Sequence, residues 1–326
     1  MEQTVLGTGF GVFDGLTDYH YTAFEAGRLT LIGRNYVAQP AFNWGHRVAF
    51  SGSYALNFDE VTEGWVKTEF PALSTIENLE ETVFTADGKL YVLLYTNFGA
   101  IEFKGLHRWD ATEFTDITGK MPEIINFEPT HRVEFSAAQG LTADGRVVIF
   151  TNDDNANIKV YGVSIESGDI ELLATIDAEV NQMRGKPVSG GVVGNKVLIS
   201  YGVHGCGFMW QSDRFIMLDL SNNHSEAITL NAEYETLPKF SFVGPSCVGV
   251  DAESGSWIAA TGSTQVGMTG SKYNGSVWAL KGIFNNPSEA QWVQLKGEIP
   301  EGEIALDDKT IYSASKEKVV KFEFNL

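Results

Sequence analysis

Three groups able to pass a proton or hold a cation, His20, Glu81 and Glu303, stand at corresponding places in a repeating pattern, each near the upper end of the first strand of its repeat. Two carboxylates and an imidazole brought together make an acid–base set or an oxygen site for a cation. Gln139 and Ser189 stand at the matching places of other repeats. The same five residues serve equally well to hydrate a water-filled channel. Asp153 and Asp154, in TNDDNAN, crowd oxygen ligands into one loop as a calcium loop does, without the spacing of an EF-hand. An ordinary Asn/Asp turn has the same composition.

A second constellation is aromatic. Long segments rich in Gly, Asn and Ser carry Tyr36, Phe42, Trp44 and His46; Phe98 and Phe103; His204, Phe208, Trp210 and Asp213; and Tyr273 with Asn274. Rings give rigid contact area, and small polar groups adapt their hydrogen bonds around it, which suits sugar rings or a protein epitope. Rings folded inward to staple their own loops are the alternative reading.

Other chemistry is not written in the chain. There is no G-x-S-x-G, no H-E-x-x-H, no P-loop and no G-x-G-x-x-G before a helix. The six histidines are scattered singly. Cys206 and Cys247 are too few to staple a chain of 326 residues, and they are either a pair on adjacent repeats or two free thiols.

The elements that must position these residues come from the repeat. YTAFEAGRLTLIG, ETVFTADGKLYVLLY, AQGLTADGRVVIFT, SGGVVGNKVLISYG, CVGVDAESGSWIAATG and EIALDDKTIYSAS each place an apolar or small-residue strand, a tight turn and a second apolar strand in series. Their anchors, Leu29, Leu90, Val147, Val197, Trp257 and Thr310, are 61, 57, 50, 60 and 53 residues apart. Third and fourth strands succeed them in each unit except the sixth, which ends without its fourth. Residues 4–7, ahead of the first unit, can supply it. The pattern predicts an all-β fold: a six-bladed β-propeller of four-stranded blades over residues 1–326, closed by an N-terminal strand in the C-terminal blade. Closure removes an open edge. The first-to-second turns are clipped, as at Asp87-Gly88 and Gly194-Asn195, whereas the second-to-third connections 33–47, 95–108, 201–214 and 261–276 are long. Long loops on a rigid scaffold are where binding sits, so this face is expected to work.

Composition narrows the partners. A formal charge of −19, from 42 acids against 23 bases, repels phosphate backbones and anionic lipid, so neither nucleic acid nor membrane insertion is expected. The opening MEQTVLGTGFGVF has no base and no apolar run of signal-peptide length, and nowhere do about 18 apolar residues stand together.

Residues 90–122, LYVLLYTNFGAIEFKGLHRWDATEFTDITGKMP, resemble a kelch-type blade: an apolar strand, a Trp-Asp ending a hairpin arm, and a closing strand before Met-Pro. Residues 276–300 are similar. Degenerate blades of this kind look like propellers of bacteriophage tail proteins and adhesins. That resemblance implies a recognition or structural protein of a virion or extracellular surface, binding a glycan or a protein surface, other virion proteins among them, without a cofactor. The competing expectation is a hydrolase or lyase acting on a saccharide or lactone at the channel mouth through Glu81, Glu303 and His20, with Ca²⁺ as the ion these acids would hold.

Overall fold

The computed structural model describes residues 3–8, 18–25, 28–34, 54–59, 64–69, 79–96, 102–110, 113–118, 135–152, 157–177, 179–180, 183–205, 209–222, 224–228, 246–260, 263–265, 271–273, 276–297, 303–314 and 318–326. After β1 (Gln3–Thr8), blade 1 is β2 (Asp18–Glu25), β3 (Arg28–Arg34), β4 (Tyr54–Asp59) and β5 (Gly64–Glu69). Blade 2 is β6 (Leu79–Ala86), β7 (Lys89–Thr96), β8 (Phe103–Trp109) and β9 (Phe114–Asp116). Blade 3 is β10 (Phe135–Gln139), β11 (Arg146–Asn152), β12 (Asn157–Ser164) and β13 (Ile170–Asp177). The short β14 (Glu179–Val180) leads into blade 4, formed by β15 (Met183–Val193), β16 (Lys196–Gly205), β17 (Met209–Asp219) and β18 (His224–Ile228). Blade 5 has β19 (Ser246–Asp251), β20 (Ser256–Ala260), β23 (Val277–Lys281) and β24 (Gln291–Lys296), with a ribbon of β21 (Ser263–Gln265) and β22 (Ser271–Tyr273) inserted after β20. Blade 6 joins β25 (Glu303–Asp307), β26 (Thr310–Ala314) and β27 (Lys318–Glu323) to β1.

The described residues thus form six four-stranded antiparallel meanders of a β-propeller, with the N-terminal strand closing the last. In that closure Gln3 lies opposite Phe322, Val5 opposite Val320 and Thr8 opposite Lys318. First strands touch in ring order: β25 with β2, β6 with β10, β10 with β15, β15 with β19 and β19 with β25, while β2 meets β7 of blade 2. Between blades 3 and 4 the approach becomes a short parallel ladder, with Ala138 opposite Gly190 and Gln139 opposite Gly191. A side chain at Gly190 could not coexist with it: a Cβ there would stand 2.6 Å from Phe150 Cζ and 2.8 Å from the Leu198 carbonyl oxygen.

The second strands read as unbroken apolar runs, VVIF, VLI and WIAA, because each is buried on both faces. Alternate residues go to opposite neighbours. On β11, Val147 and Ile149 pack with Tyr91 and Leu93 of blade 2, while Val148 and Phe150 pack with Val197 and Ile199 of blade 4. Further round, Leu198 joins Phe215 and Trp257 in the seam of blades 4 and 5, and Ile258 joins Ile311, Val320 and Phe322 in that of blades 5 and 6. The tight turns depend on left-handed backbone: Asp87 and Gly88 have φ of 51° and 65°, as a two-residue hairpin turn requires.

Two connections differ from the loops expected. Most of 201–214 is strand: β16 and β17 run on past the blade as a paired arm reaching Gly205 opposite Met209. The segment 261–276 likewise contains the β21–β22 ribbon, with Ser263 opposite Tyr273. Glycines at 202, 205 and 207 give the first of these a loop-like composition, although alternating Val203 and Met209 supply strand residues. Phe103, expected in a loop, is buried (2% exposed) and packs tilted against Phe135 with ring centroids 6.4 Å apart.

Candidate ligand-binding face

Among the described residues, blade 4 supplies the most extended paired structure on the long-connection face. Tyr201 lies opposite Arg214 and Gly202 opposite Ser212, so Asp213 is the extra residue of a β-bulge at the root of the arm. Bulges bend a strand and re-aim the residues beyond them, and they gather at functional rims. Past this one, Val203 faces Gln211 and His204 faces Trp210. Residues 202–205 carry the arm about 13 Å beyond the bulge. β15 supports it as a third strand, with Gly185 opposite Val203 and Lys186 opposite Gly202.

Tyr273, the last residue of β22, belongs to a ribbon that touches β25 of blade 6. Glu303 opens β25 opposite Ala314, Glu81 lies opposite Leu94 on β6, and His20 is itself a bulged residue between the pairs Tyr19–Gly33 and Tyr21–Ile32 of β2. All three lie toward the strand ends remote from the tight turns, in the consecutive blades 6, 1 and 2. Tyr36, Phe42, Trp44, His46, Phe98, Phe208, Asn274, Cys206, Asp153 and Asp154 lie outside the described residues. Among the described residues, no three His, Cys, Asp or Glu groups converge on a metal-sized site.

Two residues expected at the mouth do other work. Gln139 lies at the opposite end of its strand, because six residues, 140–145, separate β10 from β11 and shift the level of the strand. Its Oε1 accepts the Thr85 N–H at 2.5 Å and the Thr85 hydroxyl at 2.6 Å, tying blade 3 to blade 2. Ser189 ties blade 4 to blade 5. Its Oγ accepts the Cys247 N–H at 3.1 Å and lies 3.0 Å from Ser200 Oγ. Since Ser200 donates its one hydroxyl proton to the Ser189 carbonyl, the Ser189 hydroxyl is the donor in the Ser–Ser contact. Cys247 is a free, buried thiol donating to the Gly249 carbonyl at 3.3 Å, so it is not half of a disulfide. Burial pushes that thiol far above its ordinary range. His107 stands away from the mouth, on β8 opposite Asp116; burial lowers its pKa, against the pull of that carboxylate.

No protein-family model matches the chain, and no curated protein matches it. Solved structures do. The chain is similar to the SapL1 lectin in complex with alpha methyl fucoside, at 11% identity and a TM-score of 0.50, over 95% of this chain and 97% of that one. It is similar to the GH93 alpha-L-arabinofuranosidase of Fusarium graminearum in complex with arabinobiose, at 12% identity and a TM-score of 0.52, over 95% and 96%. YjhT matches at 12% identity and a TM-score of 0.51, over 92% of each chain. At such identities the likeness is one of fold.

Proposed function

We propose that the chain is a recognition propeller, one domain over residues 1–326, that binds a glycan through its long-connection face without chemistry. The observation that carries this reading is the blade 4 arm, in which His204 lies opposite Trp210 beyond the bulge at Asp213. Trp and His are residue types whose rings stack on a sugar at little cost in conformational entropy, and strand pairing holds these two at one level of the arm. Tyr36, Phe42, Trp44, His46 and Tyr273 belong to the same face in this reading. Neighbours of the same fold solved with a fucoside and with arabinobiose support a saccharide over a protein epitope. The kelch-like blades and their likeness to phage-tail and adhesin propellers support a virion or extracellular surface as the setting, with other virion proteins as structural partners. A glycan array probed with the labelled chain tests this: saturable binding to a saccharide class, unchanged by a calcium chelator, is the expected result. Silence across the array would end it.

A second reading rests on the levels of His20, Glu81 and Glu303 in three consecutive blades. In it the chain is a hydrolase or lyase acting on a saccharide or lactone at the mouth, one carboxyl holding its proton against its neighbour or both sharing Ca²⁺. Turnover abolished by Glu303→Gln in a folded protein, with a melting temperature raised by Ca²⁺, would favour it over the binder.

A further inference from the structure

On the tight-turn face, the boundary of blades 3 and 4 holds an open cleft of about 570 Å³, within the range of about 300–1,000 Å³ that ligand-sized clefts occupy. Main-chain bonds between the turns fix its floor. The Ala143 N–H donates to the Gly194 carbonyl at 3.0 Å, and the Leu220 N–H to the Asn195 carbonyl at 2.8 Å. One wall is charged: Arg146 is held in a fork, 2.6 Å from Glu171 Oε2 and 2.8 Å from Asp144 Oδ2. The stem of Arg146 lies over Gly162, where a Cβ would stand 2.9 Å from its Cδ. Both carboxylates stay in solvent, Asp144 56% exposed and Glu171 66%. An ionised carboxylate has about four acceptor sites, so the fork leaves acceptors open. The rest of the lining is the exposed amide of Asn195 with three leucines: the half-buried Leu173 and Leu220, and Leu172, which is 41% exposed.

The segments around the cleft, residues 142–146, 164–173, 193–196 and 219–226, carry Asp144, Glu166, Asp169, Glu171, Asp219 and Glu226 against Arg146 and Lys196, with His224 beside them. Both cations are engaged, Arg146 in its fork and Lys196 through a hydrogen bond from Nζ to the Phe284 carbonyl at 2.6 Å. Open carboxylate acceptors next to exposed leucine match a cation carried beside an apolar group. A polyamine has no apolar side chain to offer, and a sugar would find no aromatic ring among the lining residues. A second copy of the chain fits poorly, because a two-fold axis here would set these acids against themselves. β13, which supplies Glu171, Leu172 and Leu173, is the outermost strand of blade 3, so its edge is open to an extended chain.

We infer that this cleft docks an extended basic segment of a partner protein, in which Arg or Lys alternates with an aliphatic residue. The cations meet Glu171 and Asp144, and the aliphatic side chains meet the leucines. This site is separate from the glycan-binding face and does not depend on it. Fluorescence anisotropy tests it with labelled hexapeptides of alternating Arg/Leu, Arg/Ser and Glu/Leu, at about 0.15 M salt, with spermidine as competitor. The Arg/Leu peptide is expected to bind the full chain at least about tenfold more tightly than the other two. Its affinity should fall in Glu171→Gln, and by at least about tenfold in Asn195→Arg, which plants a cation in the cleft. It should hold in Asp308→Asn, which removes one acid from the exposed blade 6 turn, at a φ of 46° that Asn tolerates. Arg/Ser binding as tightly as Arg/Leu, or Asp308→Asn losing as much as Glu171→Gln, would reduce the effect to diffuse attraction by an acidic surface and overturn the inference. Glu/Leu binding as well as Arg/Leu would remove the role of charge and overturn it too. Displacement of the Arg/Leu peptide by an equal concentration of spermidine would give the cleft to a small cation instead. Silence from all three peptides would end the inference. The peptide and spermidine comparisons use the unaltered chain, so the test does not hang on how a variant folds.

Discussion

The Lys309 ammonium lies 2.6 Å from the Asp251 carboxylate, bridging blade 6 to blade 5 on the tight-turn face. Asp251 is 5% exposed and also accepts from Ser254 Oγ and the Glu253 N–H. Burial by itself would raise its pKa; the hydrogen bonds from Lys309 and Ser254 outweigh that and hold it below the usual carboxylate value. The bond with Asp251 likewise raises the pKa of Lys309. Replacing Lys309 with Met leaves a buried carboxylate short of its strongest partner, and a loss of roughly 1–3 kcal/mol is expected in denaturant melts.

The same pair sets a pH dependence. A depressed carboxyl contributes stability that is full above its unfolded pKa of about 3.9 and disappears as pH falls through the lower folded value. A raised lysine contributes below about 10.4 and loses its share as pH climbs through the folded value. Melting temperatures measured from neutral pH into acid should fall less steeply in Asp251→Asn than in the unaltered protein. Parallel acid limbs would contradict the ion pair.

Closure of the ring is open to truncation. Deleting residues 1–10 removes β1 and leaves β27 paired only with β26, exposing it as an edge strand. A stability loss of several kcal/mol is expected, out of the roughly 5–15 typical of a folded domain. A truncated chain that melts like the full one would show that β1 contributes nothing to blade 6.

Cys247 should be chemically silent while the protein is folded. In a Cys206→Ser variant, a thiol reagent at about pH 8 is expected to find no reactive group until denaturant is added, because the thiolate is disfavoured by burial. One thiol reacting at once in the native state would contradict that packing.

The propeller was legible because each blade is a local meander, with its own turn residues and its own apolar second strand; the missing fourth strand of the last unit pointed to residues 4–7. Register was not. A bulge such as that at His20 or Asp213 changes pairing by one residue and leaves no compositional mark. The level of Gln139 is hidden because the six residues between β10 and β11 make its turn longer than clipped ones such as Asp87-Gly88. The blade 4 arm passed for a loop on account of its glycines.

The central claim is that the long-connection face recognises a saccharide, and the most direct measurement is the affinity of an array-selected glycan for Trp210→Ala beside Asn195→Ala, a control in the exposed tight turn of the same blade. The predicted result is a loss of roughly 1–3 kcal/mol for Trp210→Ala, with an unchanged melting temperature and unaltered binding by the Asn195 variant. Unaltered binding by Trp210→Ala together with a loss in Asn195→Ala would put the site on the other face and contradict it.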